Sequence, residues 1–118
     1  MLRFTAIIFG IFLILASIAL PADALGINEG HLENCPASQN CVVSQDADIK
    51  HTIDPISYHI DRNKARETVL KVLTVVPRTE VVEQTDNYIH ALSKSRIFRF
   101  VDDVEFYFPE NENVIHIR

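Results

Sequence analysis

The stretch Asp61-Arg62-Asn63-Lys64-Ala65-Arg66-Glu67-Thr68-Val69-Leu70-Lys71-Val72-Leu73-Thr74-Val75-Val76-Pro77 sets the fold class of this chain. Ala65, Val69, Val72, Leu73 and Val76 recur at helical spacing and fall on one stripe, which Leu70 widens. Such a stripe faces a core rather than a partner. Asp61 or Asn63 can cap the N-terminus. Glu67 and Lys71 stand one turn apart as a favourable pair on the outer side. Pro77 stops the helix at or before Val76, because its ring disfavours the helical region for the residue before it.

Downstream the period changes from helical to alternating. Val81-Val82 marks a strand that ends at the turn signal Asp86-Asn87. A second strand runs from Tyr88 to Ser95, with Tyr88, His90 and Leu92 on one side and Ile89 and Ala91 on the other. A third runs from Ile97 to Phe108, with Phe100, Val104, Phe106 and Phe108 on one face. The polar turn Pro109 to Asn113 leads into a last strand from Val114 to Arg118. Upstream, His51 to Ile56 is extended, since Pro55 keeps Asp54 out of the helical region. A helix followed by adjacent strands with short turns predicts an α+β fold: one helix packed on an antiparallel meander sheet of about four strands.

The N-terminus has a different character. Arg3 and the terminal amine precede Phe4 to Leu20, an uncharged run of 17 residues, and Pro21-Ala22-Asp23-Ala24 follows. Small residues at 22 and 24 behind a helix-ending proline are the layout of a cleaved secretory signal. At ~1.5 Å per residue the run reaches roughly 25 Å, against about 30 Å of hydrocarbon, so an uncleaved anchor is the alternative. Residues 1–24 are therefore expected to be a signal peptide or membrane anchor helix. Residues 25–34, with Gly26 and Gly30, are expected to be a linker or extended arm, and residues 35–118 a single α+β domain. The 94 residues after Ala24 (118 − 24) suffice for one thin core.

The net charge of −5 and the scattered Lys and Arg residues exclude a general nucleic-acid binder, which needs clustered bases. No glycine follows Gly30, which removes phosphate-cradling loops, dinucleotide fingerprints and the glycine-flanked serine of α/β-hydrolases. No cofactor is expected. Membrane contact is expected only through residues 4–20, and only if the leader stays attached.

Cys35 and Cys41 are the two cysteines. In an exported chain they meet an oxidising compartment, and Pro36 and Asn40 favour a turn that joins them, so a local Cys35–Cys41 disulfide is predicted. A metal site with His31 lacks the tight gap between ligands that zinc sites use. A redox pair would show the Cys-x-x-Cys gap, which is absent.

One segment carries a cluster of charge: Phe100-Val101-Asp102-Asp103-Val104-Glu105-Phe106, beside Arg96 and Arg99. On a regular strand Asp103 and Glu105 share a face, while Asp102 turns with Phe100 and Val104 toward the apolar side. A carboxylate facing the core needs a partner, and Arg96, Arg99 or Arg118 can supply it. Alternatively, Asp103 and Glu105 can hold a hard cation such as calcium or magnesium, or divide acid and base roles. Structural pairing outweighs both, because no nucleophile–base arrangement accompanies the carboxylates. His51, His59, His90 and His116 lie on four separate elements, each more readily a satisfied polar residue than a ligand. No Ser, His and Asp set declares a catalytic triad, and no catalytic residue is assigned.

Three motifs in order carry a resemblance: Cys35-Pro36-x-Ser38-x-Asn40-Cys41-Val42, His51-x-Ile53-x-Pro55, and Arg99-Phe100-Val101-Asp102-Asp103-Val104-Glu105-Phe106. From about Leu32 to Arg118 the chain resembles the domain-of-unknown-function family 1499 (DUF1499). The resemblance implies a small exported or membrane-associated protein of periplasmic type, or of the thylakoid lumen in chloroplast relatives, with no established activity. Gln39 and Val43 depart from the usual proline and serine. Family members also continue past the position of Arg118 with a Ser- and Arg-rich stretch, so the domain is expected to be incomplete at its C-terminus.

The functional expectation is an uncharacterised exported protein, a non-enzymatic binding or assembly module of unknown partner. Its candidate cluster, functional or structural, is His51, Arg99, Asp102, Asp103, Glu105 and Arg118. The alternatives are a divalent-metal-dependent hydrolase using Asp102, Asp103 and Glu105, with His51 joining Asp103 and Glu105, and an inactive truncated relative.

Overall fold

The computed structural model describes residues 25–37 and 40–118; the predicted leader, Ser38 and Gln39 lie outside them. Helix α1 spans Arg62–Val75, and the Asp61 side chain accepts from the Lys64 amide at its N-terminus. Ala65 and Leu73 are buried, with Val69 and Leu70 packed against the same cluster. Val72 and Val76 of the predicted stripe instead face solvent. The physical reason is width. Ala65, Val69 and Leu73 repeat every fourth residue and already fill the narrow contact with the sheet. Val76 is the C-cap, where the backbone has turned extended.

Among the described residues seven strands accompany α1: β1 Ile27–Asn28, β2 His31–Leu32, β3 Ile56–Ser57, β4 Thr79–Gln84, β5 Tyr88–Lys94, β6 Val101–Tyr107 and β7 Val114–Ile117. The main sheet has the order β3-β7-β6-β5-β4, and every neighbouring pair is antiparallel. The α+β class, with one helix on an antiparallel sheet, is as predicted. The sheet has five strands rather than four, because the extended segment around Ile56 pairs with β7 at Ile56↔Ile115 and Ser57↔Val114. Ser44 continues that edge: its amide donates to Ile117 O at 2.9 Å and its hydroxyl accepts from the Ile117 amide at 2.9 Å. Backbone groups that a two-residue β3 cannot reach are thus satisfied.

Two further differences bear on the site. Residues 25–34, expected to be a linker or extended arm, form a hairpin arm. Glu29 and Gly30 both adopt positive φ, the requirement of a two-residue hairpin turn, and join β1 to β2 with Ile27 opposite Leu32. The predicted third strand also begins later. Ile97 to Phe100 form the turn between β5 and β6, closed by the Ser95 amide on Phe100 O at 2.8 Å, with Arg99 in the left-handed region (φ 56°).

Both faces of the sheet are covered. On one, Ile89, Ala91, Phe108 and Ile115 pack with Tyr58, Ala65 and Leu73 under α1. On the other, Tyr88 packs with Leu32 and Val43, which arrive from the N-terminal arm, and Ile27, Cys35, Ala47 and Tyr107 adjoin them. Cys35 and Cys41 are disulfide-bonded, with Cα atoms 5.6 Å apart, as predicted, and staple the loop that carries Val43. The ends of the domain are equally distinct. At one, Arg62 Nη2 donates to Phe108 O at 2.9 Å and Arg66 Nε to Thr85 O at 2.8 Å, fixing the start of α1 beside the β4–β5 turn. At the other, α1 ends beside the start of β4, where Thr79 faces Ser93 and the β5–β6 turn projects. Among the described residues no helix is long and apolar enough to cross a membrane.

Candidate functional site

Strand alternation places Tyr88 and His90 of β5, Asp103, Glu105 and Tyr107 of β6, and His116 of β7 on the face under the arm. Glu105 is the centre of this group and is 0% exposed. Its Oε2 accepts from the Tyr88 hydroxyl at 2.6 Å and from the Gly26 amide at 2.8 Å, and its Oε1 accepts from Arg118 Nη1 at 3.0 Å. Glu105 and Arg118 also exchange backbone hydrogen bonds at 2.9 and 3.1 Å. A carboxylate this deep needs a counter-charge and several donors, and it has both. Burial, reinforced by the bond to Glu105, pushes the Tyr88 hydroxyl well above the ordinary phenol range, so it remains a donor. Gly26 approaches with φ 100°, a conformation that suits glycine.

Two smaller polar pairs flank this node. His90 Nε2 meets Asp103 Oδ1 at 2.7 Å toward solvent. His116 Nδ1 meets Ser44 Oγ at 2.9 Å, and its ring stacks on Tyr107 with centroids 6.3 Å apart. Burial holds the His116 imidazole below its ordinary value, and nearby His31 acts in the same direction, whereas Glu112 and Asp46 oppose them. His116 stands between Ser44 and Glu112, but the three are not a working triad. Glu112 Oε2 is 3.9 Å from His116 Nε2, beyond hydrogen-bond range.

The structure therefore divides the predicted cluster. Glu105 and Arg118 come together. Asp103 lies on the same face and bonds His90 instead. Asp102 lies on the opposite face, opposite Ser93, and is exposed, so the buried carboxylate is Glu105 rather than Asp102. The reason is position along the strand: at residue 102 solvent reaches the helix side of β6, and at residue 105 the arm covers the other side. Arg99 is exposed in the β5–β6 turn. His51 donates or accepts through Nδ1 with Asp48 Oδ1 at 2.8 Å, and this contact leads the causes that hold the exposed Asp48 carboxyl below its ordinary value. His51 lines an open recess of about 440 Å³ beside the disulfide, with Asn40, Cys41, Val42 and Lys50. Among the described residues no three His, Cys, Asp or Glu side chains converge to hold a metal ion.

Sequence reasoning missed Tyr88, Gly26 and Ser44 as members of these networks. Alternation alone puts Tyr88 and His90 on one side of β5. Their register against Asp103 and Glu105 is a matter of strand pairing, and the arm's return to the sheet has no local signature.

Fold and site together define a small disulfide-stapled α+β domain whose N-terminal arm is locked onto its sheet through a buried carboxylate. The chain belongs to the family described as Protein of unknown function (DUF1499), whose model matches residues 31–118. The match spans Tyr88, Glu105 and Arg118, while Gly26 and β1 precede it. No curated protein and no solved structure matches the chain.

Proposed function

We propose that this protein is a non-enzymatic binding or assembly module acting outside the cytoplasm. One observation carries the reading: the groups best suited to chemistry are spent on the domain's own frame. Both oxygens of Glu105 are occupied by Tyr88, Gly26 and Arg118. Asp103 is bonded to His90, and His116 to Ser44. A metal-dependent hydrolase would need Asp102, Asp103 and Glu105 to share a ligand, yet they are divided between two faces and a buried node. The layout of residues 1–24 and the Cys35–Cys41 bond support an exported placement.

Complementation of a null strain tests this reading. The variant Asp103→Asn/His90→Gln is expected to restore the wild-type phenotype in full, since it removes a polar pair and leaves the fold. Loss of the phenotype with unchanged melting would instead assign that pair a chemical role and overturn the proposal. Melting that rises on addition of calcium, magnesium or zinc would favour the hydrolase.

A further inference from the structure

We propose that the turn between β5 and β6 is a finger that docks onto an anionic lipid bilayer, an inference that rests on the protein's being a binding module and names its partner. Ile97, Phe98 and Phe100 are 80%, 76% and 67% exposed, and Val101 adjoins them half-exposed. The rings of Phe98 and Phe100 stack at 5.8 Å. The turn is held in shape: Phe100 donates its amide to Ser95 Oγ at 2.9 Å, and Arg78 Nε donates to Lys94 O at 3.1 Å at its base. Val75 and Val76, exposed at the end of α1, lie at the same end of the domain.

Charge selects the occupant. No carboxylate occurs between Asp86 and Asp102, while Lys94, Arg96 and Arg99 fall within that interval and Arg78 joins them at the base. This basic group stands on a chain whose net charge is −5. Apolar and aromatic side chains interleaved with arginines suit the boundary of a bilayer, where rings enter the acyl edge and guanidinium groups meet phosphates. The reach also fits. Gly26 is bonded to Glu105, four residues along β6 from Val101, a separation of about 13 Å. Where residues 4–20 stay in the bilayer, the five steps from Leu20 to Leu25 span at most about 18 Å, which keeps the finger close to the surface. Membrane contact then extends beyond the leader, to which the sequence alone confines it.

The chain contains no tryptophan, so Phe98→Trp installs a single reporter at the tip. The protein carrying it, purified as the cell makes it, is mixed with phosphatidylcholine vesicles with and without phosphatidylglycerol. The expected result is a blue shift of the indole emission, and quenching by brominated acyl chains, with the anionic vesicles only. Arg96→Gln/Arg99→Gln in the same background should weaken the response about thirty-fold. A reporter placed by Ile49→Trp, in the loop after the disulfide, should not respond. Sedimentation with vesicles while the tip emission stays unshifted would overturn the proposal, leaving the leader as the membrane contact. A blue shift that grows with protein concentration in the absence of lipid would also overturn it, in favour of a second copy of the chain, and would leave the binding-module reading intact. Failure of that reading appears separately, as the complementation defect described above.

Discussion

The face under the N-terminal arm and the turn between β5 and β6 distribute their side chains in opposite ways. Under the arm a carboxylate, a phenol and a guanidinium lie away from water, with both oxygens of the acid met by donors. At the turn three large apolar side chains lie in water beside unburied arginines. A buried charge raises the cost of any alternative arrangement, because losing one partner strands the other. An exposed apolar tip adds little to folding and, in our proposal, is left for a membrane surface to cover. In our proposal stability and recognition fall to different parts of one strand, since β6 begins at the tip and reaches Glu105 four residues later.

The largest effect that could break this comparison is at the node. Glu105→Gln leaves Arg118 without its counter-charge and should lower stability by about 3 kcal/mol, read from chemical denaturation. An unchanged midpoint would mean the arm is held by its apolar contacts alone. Next comes the staple. Cys35→Ser/Cys41→Ser frees the loop that carries Val43 and should cost about 2 kcal/mol, with reductant giving the same loss in the wild type.

A smaller effect sharpens the contrast through pH. In the unfolded chain His116 takes up a proton near its ordinary value of about 6.5, whereas burial depresses it in the folded protein. Stability is therefore complete above that value and falls as pH drops through it, until the folded imidazole is protonated as well. The slope of melting temperature against pH in this window should flatten in His116→Gln. Retention of the full slope would assign the effect to another group.

The smallest changes lie outside the node. Asp103→Asn breaks a pair that faces solvent and should cost about 0.5 kcal/mol. Phe98→Ser/Phe100→Ser should leave the denaturation midpoint within about 0.5 kcal/mol of wild type, because neither ring is buried. A large loss at the tip would erase the division between the two regions.

Much of the fold was legible in residue order, and less of the site. Asp61 and Pro77 bracket α1 correctly, and the alternation in Tyr88 to Ser95 assigns each side chain to its observed face. Asp103 and Glu105 do share a side. The misplaced element was the start of β6, where Ile97, Phe98 and Phe100 looked like strand residues by composition, yet Arg99 turns the backbone left-handed and delays the strand to Val101. Residues 25–34, polar and with two glycines, read as a linker or extended arm. Those glycines in fact serve the β1–β2 turn and the close approach of Gly26 to Glu105.

Local order by itself determined the helix, the succession of strands and the pairing of the two cysteines. Each depends on residues near one another along the chain, with periods of 3.6 and 2 or a turn between two thiols. Only the tertiary structure decided which carboxylate is buried. The donors to Glu105 arrive from Tyr88, Arg118 and Gly26, the last of them 79 residues away. Strand register and the choice of covered face place those donors, and both arise from packing between distant segments, which no local period encodes.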